Sequence, residues 1–268
     1  MSTNRYHHLA WHHGIEFFEA FISNQTFARH AHEGFAIGAI VEGAGGYLCR
    51  GERMVLPAGS LSLMNPEEPH TGQAASTHVR YNMLYTSEAA VRAILDLRKL
   101  RGFAEITPQD NALLLTRSLA KLSTCLNAPS SLDRRMMTEE AVHAVLAHAF
   151  SHYGGAELRR PGQERAAVRQ LLDRIAEGVA AGEALSLSDL AAYVDLNPSY
   201  LIRSVKRATG MTPHEHVLRH RVCRAKDMLL NGVPASEAAV DSGFCDQSHM
   251  IRHLRRSFGV TPGAIIRH

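Results

Sequence analysis

Leu201-Ile202-Arg203-Ser204-Val205-Lys206-Arg207-Ala208-Thr209-Gly210-Met211-Thr212-Pro213 returns 49 residues later as Met250-Ile251-Arg252-His253-Leu254-Arg255-Arg256-Ser257-Phe258-Gly259-Val260-Thr261-Pro262. Six of the thirteen positions are identical, and the Leu/Met, Val/Leu, Lys/Arg and Met/Val pairs are conservative. Two copies are too few for a solenoid and read as a duplicated functional unit. Each copy ends a helix–turn–helix pattern. In the first, Ser188 opens a short helix, Asp195-Leu196-Asn197 makes the turn and Pro198 takes a first helical position. In the second, Ala235–Ser242 is followed by Gly243-Phe244-Cys245 and a helix capped by Asp246.

Helical periodicity then assigns faces. Leu201, Val205 and Ala208 share the inward side of the first recognition helix; Ser199, Arg203 and Lys206 share the outward side, with Ile202 at its edge. In the second, Met250, Leu254 and Ser257 point inward, Ser248, Arg252 and Arg255 outward, and Gln247 sits at the N-terminal end. Arginine can grip guanine in two places, glutamine can grip adenine, and hydroxyls and lysines hold phosphates. Pro213 starts a helix running to about Asn231, a rod of about 27 Å. That length suits two recognition helices roughly one DNA turn, about 34 Å, apart. Arg219, Arg221, Arg224 and Lys226 stud the rod as candidate phosphate contacts.

Charge agrees with this reading. The whole chain is only +3, but residues 198–268 hold 11 Lys+Arg against 5 Asp+Glu, and residues 1–153 hold 13 against 14. A basic module on a nearly neutral body points to a polyanionic partner.

Upstream of residue 86 the pattern is that of short strands. The apolar stretches Ile15–Ile22, Phe35–Val41, Tyr47–Cys49, Met54–Leu56, Leu61–Met64 and Val79–Tyr85 are separated by turn-like clusters, among them Glu42-Gly43-Ala44-Gly45-Gly46 and Asn65-Pro66-Glu67-Glu68-Pro69. Such spacing predicts a sandwich or barrel. Helical periodicity follows over 88–101, 108–126 and 132–153. Gly154–Gly162 reads as a flexible linker. The fold class is α+β: a β-barrel with helices over 1–153, a linker over 154–163 and an all-helical module over 164–268.

The last hundred residues resemble the arabinose-regulator (AraC/XylS) family of bacterial transcription factors. The motifs that carry the resemblance are Leu185-Ser186-Leu187-Ser188-Asp189-Leu190-Ala191, Ser199–Arg203, Lys206–Pro213, Ala238–Phe244 and Gly259-Val260-Thr261-Pro262. It implies that Ser199, Ile202, Arg203, Gln247, Ser248 and Arg252 face DNA; Lys206 and Arg255 join them by position. Asp195 stands where the first turn often has glycine, and Asp tolerates the left-handed backbone better than most residues. Residues 15–85 resemble the family's cupin-like effector domain through Arg29-His30-Ala31-His32-Glu33, Ile37-Gly38, Gly59-Ser60-Leu61 and Asn65–His70. The glutamate such a motif places four or five residues past its second histidine is absent, Ala36 and Ile37 standing there, and Glu68 replaces a usual glycine. The reading is therefore an effector pocket with no metal and no cofactor. His30, His32, Tyr47, Asn65, His70 and Arg80 are its polar candidates, which points to a small polar effector such as an amino acid or carboxylate. The clustered His7, His8, His12 and His13 read as a solvated terminal segment.

Implied partners are promoter duplex DNA, the effector, a second copy pairing through the 108–126 and 132–153 helices, and RNA polymerase. The chain has no run of about 18 apolar residues and no apolar leader, and its four cysteines are scattered, which together fit a cytoplasmic protein without a membrane partner. No catalytic residue is assigned. Two rival readings are a metal-dependent cupin enzyme fused to a helical domain and a DNA-alkylation-repair fusion. The latter needs an activated cysteine that the stretch between Cys125 and Cys223 lacks.

Overall fold

The structure is a computed structural model describing residues 4–12, 14–108, 112–129 and 131–265. It comprises strands β1 (Arg5–His8), β2 (Ile15–Ile22), β3 (Thr26–His30), β4 (Phe35–Cys49), β5 (Glu52–Pro57), β6 (Leu61–Met64) and β7 (His70–Thr86). Helices follow: α1 (Glu88–Leu95), α2 (Leu113–Asn127), α3 (Arg134–His148), α4 (Arg165–Ala180), α5 (Leu187–Tyr193), α6 (Pro198–Thr209), α7 (Pro213–Leu230), α8 (Ala235–Asp241) and α9 (Gln247–Phe258). The chain divides into two compact units, residues 1–126 with 141–158, and residues 127–140 with 159–268. Among the described residues no helix is long and apolar enough to cross a membrane.

In the first unit two long strands, β4 and β7, pair antiparallel along most of their length. Each is flanked end to end by shorter partners: β2 and β3 along β7, and β6 and β5 along β4. Glu42-Gly43-Ala44-Gly45-Gly46 is therefore not a turn but the middle of β4. Its glycines sit at register shifts against β7, where extra residues bend the strand instead of ending it. Gly43 adopts φ +73°, and a Cβ there would lie 2.1 Å from the His78 carbonyl oxygen. The bends let one face of the sheet close on a cavity while Phe35, on the other face, packs with Phe103 and Phe150 at ring separations of 4.9–5.6 Å. The N-terminal histidines are ordered more than their position suggested. His7 and His8 lie in β1, where His7 pairs with Glu19 at 3.1 Å, and His12 packs on His143; His13 lies outside the described residues.

The second unit is all helical and has two small cores. Leu171, Ile175, Leu187, Leu190, Leu201, Val205 and Val217 form the first; Val222, Ala225, Ala238, Ala239, Phe244, Met250 and Leu254 form the second. Helix α7 spans both, so one rod carries the two helix–turn–helix units. Its Thr212–Glu215 capping box and Pro213 fix its start. Asp195 takes φ +50° and Gly243 φ +83° in the two turns, so Asp195 does substitute for glycine. Helix α5 is capped by Ser186, two residues before the expected Ser188.

Residues 127–140, read from sequence as part of the barrel domain, pack in this unit. Glu139 accepts from the Leu187 amide at 2.7 Å, and Glu140 from the His214 amide at 2.8 Å. Two buried carboxylates thus sit at the N-termini of α5 and α7, where unpaired amides and the helix dipole favour negative charge. Asp133 pairs with Arg221 and with His214, each at 3.1 Å.

Candidate functional site

The cavity of the first unit measures about 220 Å³, below the roughly 300–1,000 Å³ typical of drug-sized sites. Its wall is mainly apolar: Phe18, Ile22, Ile40, Leu56, Met64, Val79 and Met83 contribute. Strand alternation explains the β7 contribution, since Val79, Tyr81, Met83 and Tyr85 all face inward. Arg80 lies between two of these and faces outward, over the Phe21 ring and 3.3 Å from Glu42. Asn65 also lies outside the cavity. Its amide accepts from the Phe103 N–H at 2.7 Å and donates to the Phe103 carbonyl at 2.9 Å, pinning the segment after α1. His30, His32, Tyr47 and His70 do line it. Sequence reasoning missed Tyr81, Tyr85, Gln73 and Ser62, although the alternation of β7 was available to find the two tyrosines.

One end of the cavity is an imidazole cluster. His30 and His70 are direct partners across the β3–β7 register, and the His32 ring lies 4.9 Å from His30 and 5.1 Å from His70 although residue 32 is just past the end of β3. The Nδ1 atoms of His30 and His70 lie 2.8 Å from the Ala28 carbonyl and 2.9 Å from the Glu68 carbonyl. A carbonyl only accepts, so each Nδ1 carries a proton, and in a neutral ring the lone pair is then on Nε2. Burial, with His70 and His30 adjacent, pushes His32 down to about 4, and burial also lowers His70; both are neutral at neutral pH. One ring nitrogen from each of the three lies within 4.8 Å of the others. Three converging imidazoles, two of them fixed from behind by carbonyls, are a donor set suited to a divalent transition metal such as Zn, Ni or Fe(II), or to the O–H of a protonated acid. The missing glutamate argues against a metal, and the three converging imidazoles argue for one. Tyr85, with its ring 4.8 Å from His32, is pushed up to about 12 by burial and stays a neutral hydroxyl.

In the second unit the two recognition helices, α6 and α9, differ in exposure. Gln247, Ser248, Arg252 and Arg255 on α9 are exposed, as is Lys206 on α6. Ile202 and Arg203 are partly buried and Ser199 is only 2% exposed. The inward faces also differ from expectation: Ala208 and Ser257 are exposed, and Ser204 takes the inward place beside Leu201 and Val205. Not every arginine of the rod is available for phosphates. Arg221 is 2% exposed and donates to the Gly243 carbonyl at 2.9 Å, while Arg224 donates to the Val179 carbonyl at the end of α4 at 2.8 Å.

Residues 12–146 match the family described as AraC-like ligand binding domain, and residues 190–268 match a helix-turn-helix domain. The HTH-type transcriptional regulator YbfI of Bacillus subtilis is 28% identical over 235 residues, covering 84% of this chain and 82% of its own. The HTH-type transcriptional activator RhaS of Yersinia pseudotuberculosis is 24% identical over 267 residues, covering 93% and 96%. Among solved structures, a cupin superfamily protein from Desulfitobacterium hafniense aligns with 32% of this chain and 79% of its own, at 8% identity and a TM-score of 0.29, too slight a likeness to add to the topology above. Relatives that are regulators over nearly their whole length set the enzyme readings aside. The chain belongs to the AraC family of transcriptional regulators, with an N-terminal ligand-binding domain and a C-terminal helix-turn-helix DNA-binding domain.

Proposed function

We propose that the effector of this regulator is a small molecule with an apolar body and one acidic or metal-binding head, held in the β-barrel cavity. The observation that carries this reading is the cavity itself: aliphatic and aromatic side chains on most of its wall, and three imidazoles converging at one end. A carboxylate head fits the imidazole end on a divalent metal held by His30, His32 and His70, and the protonated acid fits it without a metal by donating its O–H to an imidazole nitrogen. Such a metal would act as a Lewis acid gripping an effector oxygen. Among the described residues neither lysine nor arginine lines the cavity, so a sugar phosphate fits it less well than an apolar acid.

DNA contacts fall to Ser199, Ile202, Arg203, Gln247, Ser248 and Arg252 toward the bases and to Lys206 and Arg255 toward phosphates. The protein works as a homodimer in the cytoplasm, where it meets promoter DNA and RNA polymerase. The apolar positions of α2 are mostly covered within the chain, leaving Leu113 and Leu114, 43% and 60% exposed, for a second copy.

A thermal-shift screen of small aliphatic and aromatic carboxylates, with and without Zn²⁺ or Ni²⁺, tests the site. A ligand at 100 times its Kd adds about 2.7 kcal/mol of stability. The shift should vanish in His70→Ala and persist in Arg80→Ala. Hits that survive His70→Ala and are lost in Arg80→Ala would place the effector elsewhere.

A further inference from the structure

The two helix–turn–helix units repeat each other in sequence and capping, yet only one shows its whole DNA face. On α9 that face is open. On α6 Lys206 is exposed, but Arg203 is engaged by residues 159–164, the segment immediately before α4. The Arg159 guanidinium lies over the Tyr200 ring, 4.4 Å from its centroid. The Gly162 amide donates to the Tyr200 hydroxyl at 2.8 Å, and that hydroxyl donates to the Glu164 carboxylate at 2.7 Å. Main-chain carbonyls of the same segment accept from the next two arginines of α6: Arg159 from Arg203 at 3.3 Å, and Pro161 from Arg207. Arg203 also donates to Ser199, which closes the face over that side chain.

We propose that residues 159–164 are an autoinhibitory strap, bound where the duplex must bind and displaced by it. The strap offers main-chain carbonyl oxygens to guanidinium groups that would otherwise meet base and phosphate oxygens, and the Glu164 carboxylate to the Tyr200 hydroxyl. An Arg203 side chain turned onto Ser199 and the strap carbonyl cannot reach a base edge. Strap and duplex exclude each other because both need the Arg203 side chain. The segment expected to be a free linker is thus, in its second half, a ligand of the first recognition helix. A strap open in only a small fraction of molecules scales DNA affinity down to that fraction, and whatever frees it restores the difference. The second helix–turn–helix unit, unstrapped, remains available for first contact.

Tyr200→Phe keeps the ring and removes both hydroxyl bonds to the strap. The full-length variant, measured at one salt concentration against a duplex selected by the wild-type protein from a randomised library, should bind roughly threefold to thirtyfold more tightly. Hydrogen–deuterium exchange on the unmodified full chain gives an independent reading. Amides of residues 158–164 should be protected in the free protein and exchange faster when the duplex is saturating. Unchanged or weaker binding by a Tyr200→Phe protein that melts like the wild type would overturn the proposal, because the strap would then be a scaffold presenting α6. Exchange in 158–164 that slows or stays constant on DNA binding would overturn it equally, and that measurement decides alone if the variant does not fold.

Discussion

Asp133 shows how much a single buried charge can organise. Burial alone would raise its pKa, but the hydrogen bond from His214 and the positive charge of Arg221 outweigh burial and hold it well below the usual carboxylate range. Arg221 is itself buried and also holds the Gly243 carbonyl, so the pair ties segment 127–140 to the turn of the second helix–turn–helix unit. Asp133→Asn leaves a buried guanidinium without its counter-charge and should cost about 3–5 kcal/mol at neutral pH, read by urea unfolding. The sign of the pH dependence follows from the lowered folded pKa. The unfolded carboxyl takes up its proton first, so the stabilisation is present above about pH 4 and is lost as the pH falls below it. The Asn variant should therefore lose less stability than the wild type on acidification through that range. A gap between the two proteins that is constant from pH 7 to pH 3 would contradict this. None of it was legible in the sequence. Arg221 looked like one more charge on a helical rod, because its partner lies 88 residues away and periodicity reports only neighbours on the same element.

Elements were read best where a short-range rule decides them. Pro198, Pro213 and the Asp246 cap open their helices as the sequence indicates, each acting on residues beside it, whereas the cap of α5 falls at Ser186 instead of Ser188. The β region was harder, because Gly and Pro mark both turns and bulges. Gly43-Ala44-Gly45-Gly46 ends a strand on paper, but in the sheet it bends one continuous strand against β7, and only the cross-strand partner distinguishes the two. Gly43→Ala brings a Cβ against the His78 carbonyl in a backbone region that favours glycine. Its melting temperature should fall by several degrees, and thermal shift by apolar carboxylates should weaken with it, since the bend shapes the cavity. An unchanged melting temperature would mean the bend is not needed. The recognition helices give a paired prediction. Arg252→Ala should cost about 1–3 kcal/mol on the selected duplex and relax preference at one base pair, whereas Arg255→Ala should weaken selected and random duplexes alike and lower the salt slope by about one. Equal behaviour of the two variants would remove the distinction between base and phosphate contact.

At the scale of the molecule, a ligand-binding unit and a DNA-binding unit share one chain, and regulation requires that effector and duplex alter each other's affinity. Thermodynamic linkage makes this reciprocal: an effector that tightens DNA binding by some factor is itself bound more tightly by that factor when the duplex is present, and a repressing one more weakly. The existence of both units, and the duplication within the second, could be read from the amino-acid order because each is a local pattern. The strap on α6 and the closing of the bent sheet on a cavity could not, because they depend on which segments meet in space. The measurement that bears most directly on the account is selection of duplexes from a randomised library by the full chain, followed by equilibrium binding at fixed salt. The account predicts a selected sequence with two contacted segments about one helical turn, roughly 34 Å, apart, bound about 10³-fold or more tightly than random duplex. Recovery of no preferred sequence, with selected and random duplexes bound equally, would contradict it.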